Sequence, residues 1–467
     1  MTEEKMKQQS IQNKYFGTDG YRGEVNVTLS SEQAYKIGRF FGWYYSCAGE
    51  CAPRIVIGKD TRRSSYTLEY AIAAGLTASG ADAYMLHVTT TPSVSYVTQT
   101  EGFDCGIMIS ASHNPFYDNG IKIINRFGEK LDDRICAQIE AYLDGEYGRL
   151  GLDGDIPTAK REKIGRIVDH SVGRNRYIAY LISLASHSYK KLRIGLDTAN
   201  GATFAIANAV FGALGAKIYQ IGNEPDGINI NRNCGSTHTE ALCELVLREH
   251  LDVGFAFDGD GDRCIAVDGR GEVIDGDGIL YILAKRLRAR GMLEEDTVVA
   301  TVMSNSGFVR SLSDIGISCV QTTVGDRFVY EKMQDGDYSL GGEQSGHIII
   351  KKYATTGDGI LSAIMLTEEM CDTKQPIDAL CKELVLYPQT VRNLRVRDQR
   401  EAIEDSAVRE ICENIRREIG ERGRLLLRKS GTEPLVRIMI ECEDIDKCQA
   451  YAERIAEVMK GGGHVIE

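Results

Sequence analysis

The sequence predicts an α/β protein: three related α/β domains with mixed, largely parallel sheets, followed by a smaller C-terminal α+β domain. Two observations carry that expectation. A strand, a helix, a glycine and a second strand recur in that order three times, about a hundred residues apart. The last stretch of chain then abandons the pattern. A length of 467 residues also suits three or four domains better than a single core.

In the first copy, Arg54–Gly58 is a short apolar strand, a helix runs through Ala78, and Gly80 precedes the strand Ala83–Val88. The second begins at Leu192–Asp197 and passes a small-residue helix to Gly215 and the strand Lys217–Ile221. The third begins at Thr297–Val302, and its helix stops before Gly316 and the strand Ile317–Gln321. Such units build parallel sheets, and the glycines suit the left-handed position that ends a helix. From about residue 383 a charged helix, Asp405–Ile419, alternates with the short strands Arg424–Leu427 and Leu435–Glu441, an α+β arrangement. Turn formers at Asp153–Pro157 and Gln375–Pro388 mark linkers. The expected domains are 1–158, 159–272, 273–382 and 383–467.

Composition excludes several classes. Hydrophobic content of 43% and charged content of 26% are those of a globular protein, and a net charge of -12 argues against nucleic-acid or anionic-membrane binding. A local basic cluster could still hold a small anion. Thirteen cysteines without a CxxC give no zinc or disulfide framework, and most are expected as small buried hydrophobes in a reducing compartment. The N-terminus is polar and no apolar run is long enough to span a bilayer, so a cytoplasmic protein is expected.

The chemistry is expected at Gly106–Pro115. An apolar strand, Gly106–Ile109, stops at Ser110-Ala111-Ser112-His113-Asn114-Pro115, which places two serines and a histidine at a strand end. Asp118–Lys122 then returns a lysine to the same place. Asp258-Gly259-Asp260-Gly261-Asp262-Arg263, between two apolar strands, offers three carboxylates at alternate positions to one centre, which suits Mg²⁺. A calcium EF-hand would need glycine and glutamate where Arg263 and Gly269 stand. Arg263 can offset the charge of an anionic fourth ligand. Gly17–Gly23 has neither P-loop nor dinucleotide spacing, but Arg22 within it is a candidate phosphate ligand. Gly341–His347 sets several hydrogen-bonding side chains among glycines; Glu343 and Ser345, two apart, suit neighbouring hydroxyls of a sugar, and a capped turn with His347 on the surface is the alternative. Arg428-Lys429-Ser430-Gly431-Thr432-Glu433-Pro434, with Arg437 behind it, reads as an anion nest.

On these four motifs, Ser112–Pro115, Asp258–Arg263, Glu343–His347 and Arg428–Pro434, the chain resembles the α-D-phosphohexomutases along nearly its whole length. Phe16–Gly20, Asn231–His238, Val324–Arg327 and Gln344 make it most similar to the bacterial branch acting on amino sugars. The resemblance implies interconversion of glucosamine 6-phosphate and glucosamine 1-phosphate, feeding amino-sugar nucleotide and cell-wall precursor synthesis. Sister activities on glucose or mannose phosphates are the alternative. It implies that Ser112 carries a phosphoryl group and that Asp258, Asp260 and Asp262 hold one Mg²⁺ with a phosphoserine oxygen. Lys122 is implied as general base, its proton loosened by adjacent cations, with His113, Arg22 and Arg263 about the moving phosphoryl. Asp326, Arg327, Glu343, Ser345 and His347 would bind the sugar. Arg428, Ser430, Gly431, Thr432 and Arg437 would hold the phosphate that does not react. A bisphosphorylated sugar is the expected activator, a phosphosugar the expected small-molecule partner, and a homodimer the expected assembly. The departures are Tyr21, where isoleucine is usual, and a polar extension before Gln12.

Overall fold

The computed structural model describes residues 14–17, 19–46, 51–420, 422–429 and 435–466. These form two compact units, Met1–Val302 with Val320–Cys381, and Met303–Cys319 with Lys382–Glu467.

The first unit contains the first two expected repeats and the opening strand of the third, whose helix, Ser306–Asp314, falls in the second unit; each of its three sheets is mixed. The first sheet orders its seven strands Phe16–Gly17, Gly20–Glu24, Asp118–Asn125, Cys105–Ile109, Arg54–Lys59, Asp82–Val88, Ile167–Asp169. Its pairings among the last four strands are parallel, and those on the other side are antiparallel. The second sheet orders Val273–Ile274, Cys264–Asp268, Val253–Phe257, Arg193–Asp197, Lys217–Ile221, again parallel at one end and antiparallel at the other. In the third, Thr297–Thr301 runs parallel to Leu340–Gly342, which turns back antiparallel into Ile348–Ile350. In each sheet an antiparallel hairpin adjoins the parallel strands, and the loops of these three hairpins are the motifs picked out by sequence: 110–117, 258–263 and 343–347.

Strands such as Cys105–Ile109 and Val253–Phe257 are buried at every position, as continuous apolar strands covered on both faces must be. Beneath the first sheet, the helices Ser31–Ser46 and Arg63–Ala78 meet at Gly38 and Gly75. A Cβ on either would stand 2.2 Å or 2.1 Å from the other helix's carbonyl oxygen, so any side chain would push the pair apart. Phe40, Phe41, Leu68, Ile72 and Ile107 fill that core, each contributing about 1.5–3 kcal/mol. The predicted helix stops hold: Gly80, Gly215 and Gly316 have φ of 91°, 93° and 76°.

In the second unit, Leu435–Cys442 is the central strand of a three-stranded antiparallel sheet between Gln389–Arg395 and Gly423–Lys429, packed with the helices Ser406–Ile419 and Ile445–Gly461. The helix Ser306–Asp314 joins it because the buried Glu441 accepts from Ser306 N at 3.0 Å and Ser306 Oγ at 2.9 Å. Cys442, at the end of a strand, and Cys448, at the start of a helix, are brought together here, a proximity their spacing of six in sequence does not announce. Among the described residues no helix is long and apolar enough to cross a membrane.

Candidate active site

Ser112 ends the strand Cys105–Ile109 in a turn that puts its own backbone in the left-handed region, φ 52°. A non-glycine residue holds that conformation only where its surroundings dictate it. Here Ser110 Oγ accepts from Ser112 N at 2.9 Å, and the Ser112 carbonyl accepts from Arg62 Nη2 at 3.1 Å and Asn231 Nδ2 at 2.8 Å. The result aims the buried Ser112 hydroxyl at the second sheet's loop, where it donates to Asp258 Oδ2 at 2.5 Å.

Asp258, Asp260 and Asp262 are all buried, and a carboxylate oxygen from each lies within 4.8 Å of those of the others. Burial and the charges of Asp262 and Asp260 push the Asp258 carboxyl well above its ordinary range. Asp260 Oδ1 and Asp262 Oδ1 are buried without a hydrogen-bond partner. Three hard oxygen donors around one point, two with unused lone pairs, fit a divalent cation.

Lys122, on the strand returning from the serine loop, places Nζ 2.7 Å from Asp260 Oδ2 and 3.0 Å from both Asp262 Oδ2 and Asp19 Oδ2. Burial disfavours its charge, but these three carboxylates outweigh burial and hold its pKa well above the ordinary lysine value. Arg22 acts against that charge, as an adjacent cation is expected to, while three acids surround the same amine. Asp19 is the hub. Burial alone would raise its pKa, but Lys122, Lys130 and Arg22 take it far below the ordinary range. Arg22 donates to Asp19 through Nη2 and lies 3.5 Å from Asn114 Oδ1 through Nη1. His113 Nδ1 is 3.4 Å from Ser112 Oγ and accepts from Arg263 Nη1 at 2.9 Å; burial, then Arg263 and Arg22, lower its pKa to about 4.

From the third sheet's loop, His347 is buried with Nδ1 3.8 Å from Asp262 Oδ1 and Nε2 3.4 Å from Asp326 Oδ2. Gly357 N donates to Nε2 at 3.0 Å, so a neutral His347 carries its proton on Nδ1, facing the acid triad. Asp326 also pairs with Lys130 at 2.6 Å, and Glu343 Oε1 accepts from Gly325 N at 3.1 Å. A cleft of about 480 Å³ opens beside His347, Asp326, Arg327 and Lys130. Ser112, His113, Lys122, Arg22, Arg263, the three aspartates, His347 and Asp326 therefore form one contiguous network. Of the predicted sugar ligands, Arg327 lines that cleft with its guanidinium engaged by Asp133 and Glu331, and Ser345 is exposed. In the second unit, Arg428 and Arg437 are exposed cross-strand neighbours, an arrangement of like charges that favours an anion between them. Ser430, Gly431 and Thr432 lie outside the described residues.

Four groups escaped sequence reading: Asp19, Lys130, Arg62 and Asn231. Asp19 and Asn231 stood inside quoted motifs without a role. Arg62 stands three residues beyond the strand Arg54–Lys59, in the loop at its carboxyl end.

Models of the phosphoglucomutase/phosphomannomutase family match four consecutive stretches: α/β/α domain I at 13–148, domain II at 175–271, domain III at 275–387 and the C-terminal domain at 392–458. A phosphoglucosamine mutase of Lachnospira eligens is 56% identical over 97% of this chain and 100% of its own length. One from Lachnoclostridium phytofermentans is 53% identical over 97% and 99%. Among solved structures, a phosphoglucomutase/phosphomannomutase family protein of Burkholderia thailandensis shares the fold with a TM-score of 0.77 at 23% identity, covering 96% of this chain and 98% of that one. The N-acetylphosphoglucosamine mutase of Aspergillus fumigatus, solved with GlcNAc-6P and magnesium, does so with a TM-score of 0.67 at 16% identity, covering 96% of each. The resemblance read from the four motifs is borne out: the chain belongs to the phosphoglucomutase/phosphomannomutase family.

Proposed function

We propose that the protein interconverts glucosamine 6-phosphate and glucosamine 1-phosphate through a phosphoserine at Ser112. The observation that carries this is one buried hydroxyl, Ser112 Oγ, hydrogen-bonded at 2.5 Å to one of three carboxylates gathered about a point. The names of relatives at 53–56% identity support the amino sugar over its hydroxy counterparts.

In the forward direction the Ser112 phosphoryl passes to the free 1-hydroxyl of the 6-phosphate. The Oγ–P bond breaks, the new O–P bond forms, and the hydroxyl proton leaves. The bisphosphate turns, its 6-phosphoryl returns to Ser112 Oγ, and the 1-phosphate departs. Such transfer needs positioning and charge more than covalent help. His113 lies beside Ser112 Oγ with Arg263 bonded to its ring, and Arg22 reaches the same loop from the first sheet. Lys122, 2.7–3.0 Å from Asp260, Asp262 and Asp19, would take the hydroxyl proton as general base. Mg²⁺ held by Asp258, Asp260 and Asp262 would offset the charge of those carboxylates and of the phosphoryl group. Arg428 and Arg437, with Ser430, Gly431 and Thr432, would grip the phosphate that is not reacting. Glu343, Ser345, His347, Asp326 and Arg327 are assigned to the sugar. A bisphosphorylated sugar would restore lost phosphoserine. We assign the enzyme to the cytoplasm and to a homodimer.

Comparing kcat/KM for glucosamine 6-phosphate, glucose 6-phosphate and mannose 6-phosphate tests the substrate. A hydrogen bond to the charged amino group, worth about 1.5–3 kcal/mol, should favour the amino sugar by roughly 10–150-fold. A preference for glucose or mannose phosphate would refute the assignment.

A further inference from the structure

The run Asn231–His238 marks a branch of the family in the sequence, yet nothing in the reaction above uses it. Its first residue reaches the reacting serine. Asn231 is buried, has φ 57°, and donates its backbone N–H to Ala199 O at 2.9 Å. Its side-chain amide donates to Ser112 O at 2.8 Å and to Asn114 O at 3.0 Å. The same two carbonyls accept from Arg62 Nη2 at 3.1 Å and 2.6 Å. Arg62 is fully buried, neutralised by Asp60, with Nη1 3.4 Å from Ser110 Oγ. Each carbonyl flanking His113 is therefore held by two side-chain donors, one from the first sheet's domain and one from the second's.

Asn231 is also tied to the acid loop. Ser236 N donates to Phe257 O at 2.9 Å, immediately before Asp258, and Gly235 N donates to Asp197 Oδ2 at 2.7 Å. A Cβ on Gly259 would lie 2.6 Å from Ser112 O and 3.1 Å from Asn231 Nδ2, so the acid loop's backbone presses against the clamp itself. The conformation being clamped is the left-handed one of Ser112, which a serine does not adopt unaided.

We propose that Asn231, acting with Arg62, is a positioning residue for phosphoryl transfer: it locks Ser112 in its left-handed turn and so keeps Oγ on Asp258. This rests on Ser112 being the phosphoryl carrier. Two variants test it in the full-length protein with Mg²⁺. Asn231→Gly removes both donors and accepts positive φ without strain. Asn231→Asp keeps the shape but turns a donor pair into oxygens facing two carbonyls. Misplacing the nucleophile should lower kcat about 10-fold in N231G and about 10²-fold in N231D. KM for glucosamine 6-phosphate should stay within about threefold, because an interaction made for the transition state is lost rather than one made for binding. Amide exchange across residues 110–114, measured without substrate, should quicken in both. Wild-type kcat in N231D, or a loss confined to KM, would overturn the proposal; should N231D not fold, N231G decides on the same readings. If the wild-type protein shows no Ser112-dependent transfer, the mutase reading fails by itself. The exchange rates then judge the clamp alone: faster exchange upholds it and unchanged exchange overturns it.

Discussion

Replacing Lys122 by methionine keeps the length of the side chain and removes its charge from among three buried acids. Nζ lies 2.7–3.0 Å from Asp260, Asp262 and Asp19. At an effective dielectric near 20, each such contact is worth about 6 kcal/mol in gross Coulomb terms. Burying the ammonium offsets most of that, and removing one partner of a buried pair leaves a net cost of about 3–5 kcal/mol. Asp19 keeps Lys130 and Arg22, so the cost falls chiefly on Asp260 and Asp262. The assay is urea unfolding of wild type and K122M in EDTA and in Mg²⁺. In EDTA the variant should be the less stable by that amount. Mg²⁺ should then stabilise K122M more than wild type, since the cation replaces a missing charge instead of competing with one. The deficit in EDTA should also shrink on acidification: uncompensated acids have folded pKa values above their unfolded ones, bind more protons folded, and so lose stability as pH rises. Turnover should fall about 10²–10⁴-fold if Lys122 moves the proton. Equal stability in EDTA, or an equal increment from Mg²⁺, would refute the reasoning.

Other consequences can be checked separately. Glu368 is buried and accepts from Ser186 N at 2.9 Å, His187 N at 3.2 Å and Tyr189 OH at 3.0 Å. Burial opposes its charge, but these donors win and set its pKa at about 2, below the unfolded value. Its contribution is therefore complete above the ordinary glutamate pKa of 4.5 and lost as pH falls toward 2. Glu368→Gln should cost about 1–3 kcal/mol at pH 7 by urea unfolding and flatten that acid dependence. Arg428→Ala or Arg437→Ala relieves a repulsion between exposed neighbours, so stability should change by less than about 0.5 kcal/mol. KM should nevertheless rise roughly 10–100-fold, the worth of a charged hydrogen bond to phosphate.

The repeats were legible because each is local: an apolar strand, a helix and a glycine stop lie within one short stretch. Asp258–Asp262 was legible for the same reason, its three acids standing next to one another in sequence. What stayed hidden depends on residues far apart in the chain. Arg62 and Asn231 meet only at the Ser112 carbonyl, and Lys130 joins Asp19 to Asp326 across two domains of the first unit. The acid surroundings of Lys122 were only half legible: Asp260 and Asp262 stand in a conspicuous motif, whereas Asp19 reaches the amine only after the first sheet forms. Ser306–Asp314 was read with the third repeat, which its helix–glycine–strand pattern fits, but Glu441 ties it to the C-terminal sheet.

Intact mass and peptide mapping of the purified protein, before and after incubation with a bisphosphorylated hexose, test the central claim most directly. One added phosphoryl group is expected, located on Ser112, that moves to glucosamine 6-phosphate when Mg²⁺ is present and is absent from Ser112→Ala. Full mutase turnover with Ser112 never phosphorylated, or undiminished turnover in the alanine variant, would contradict it.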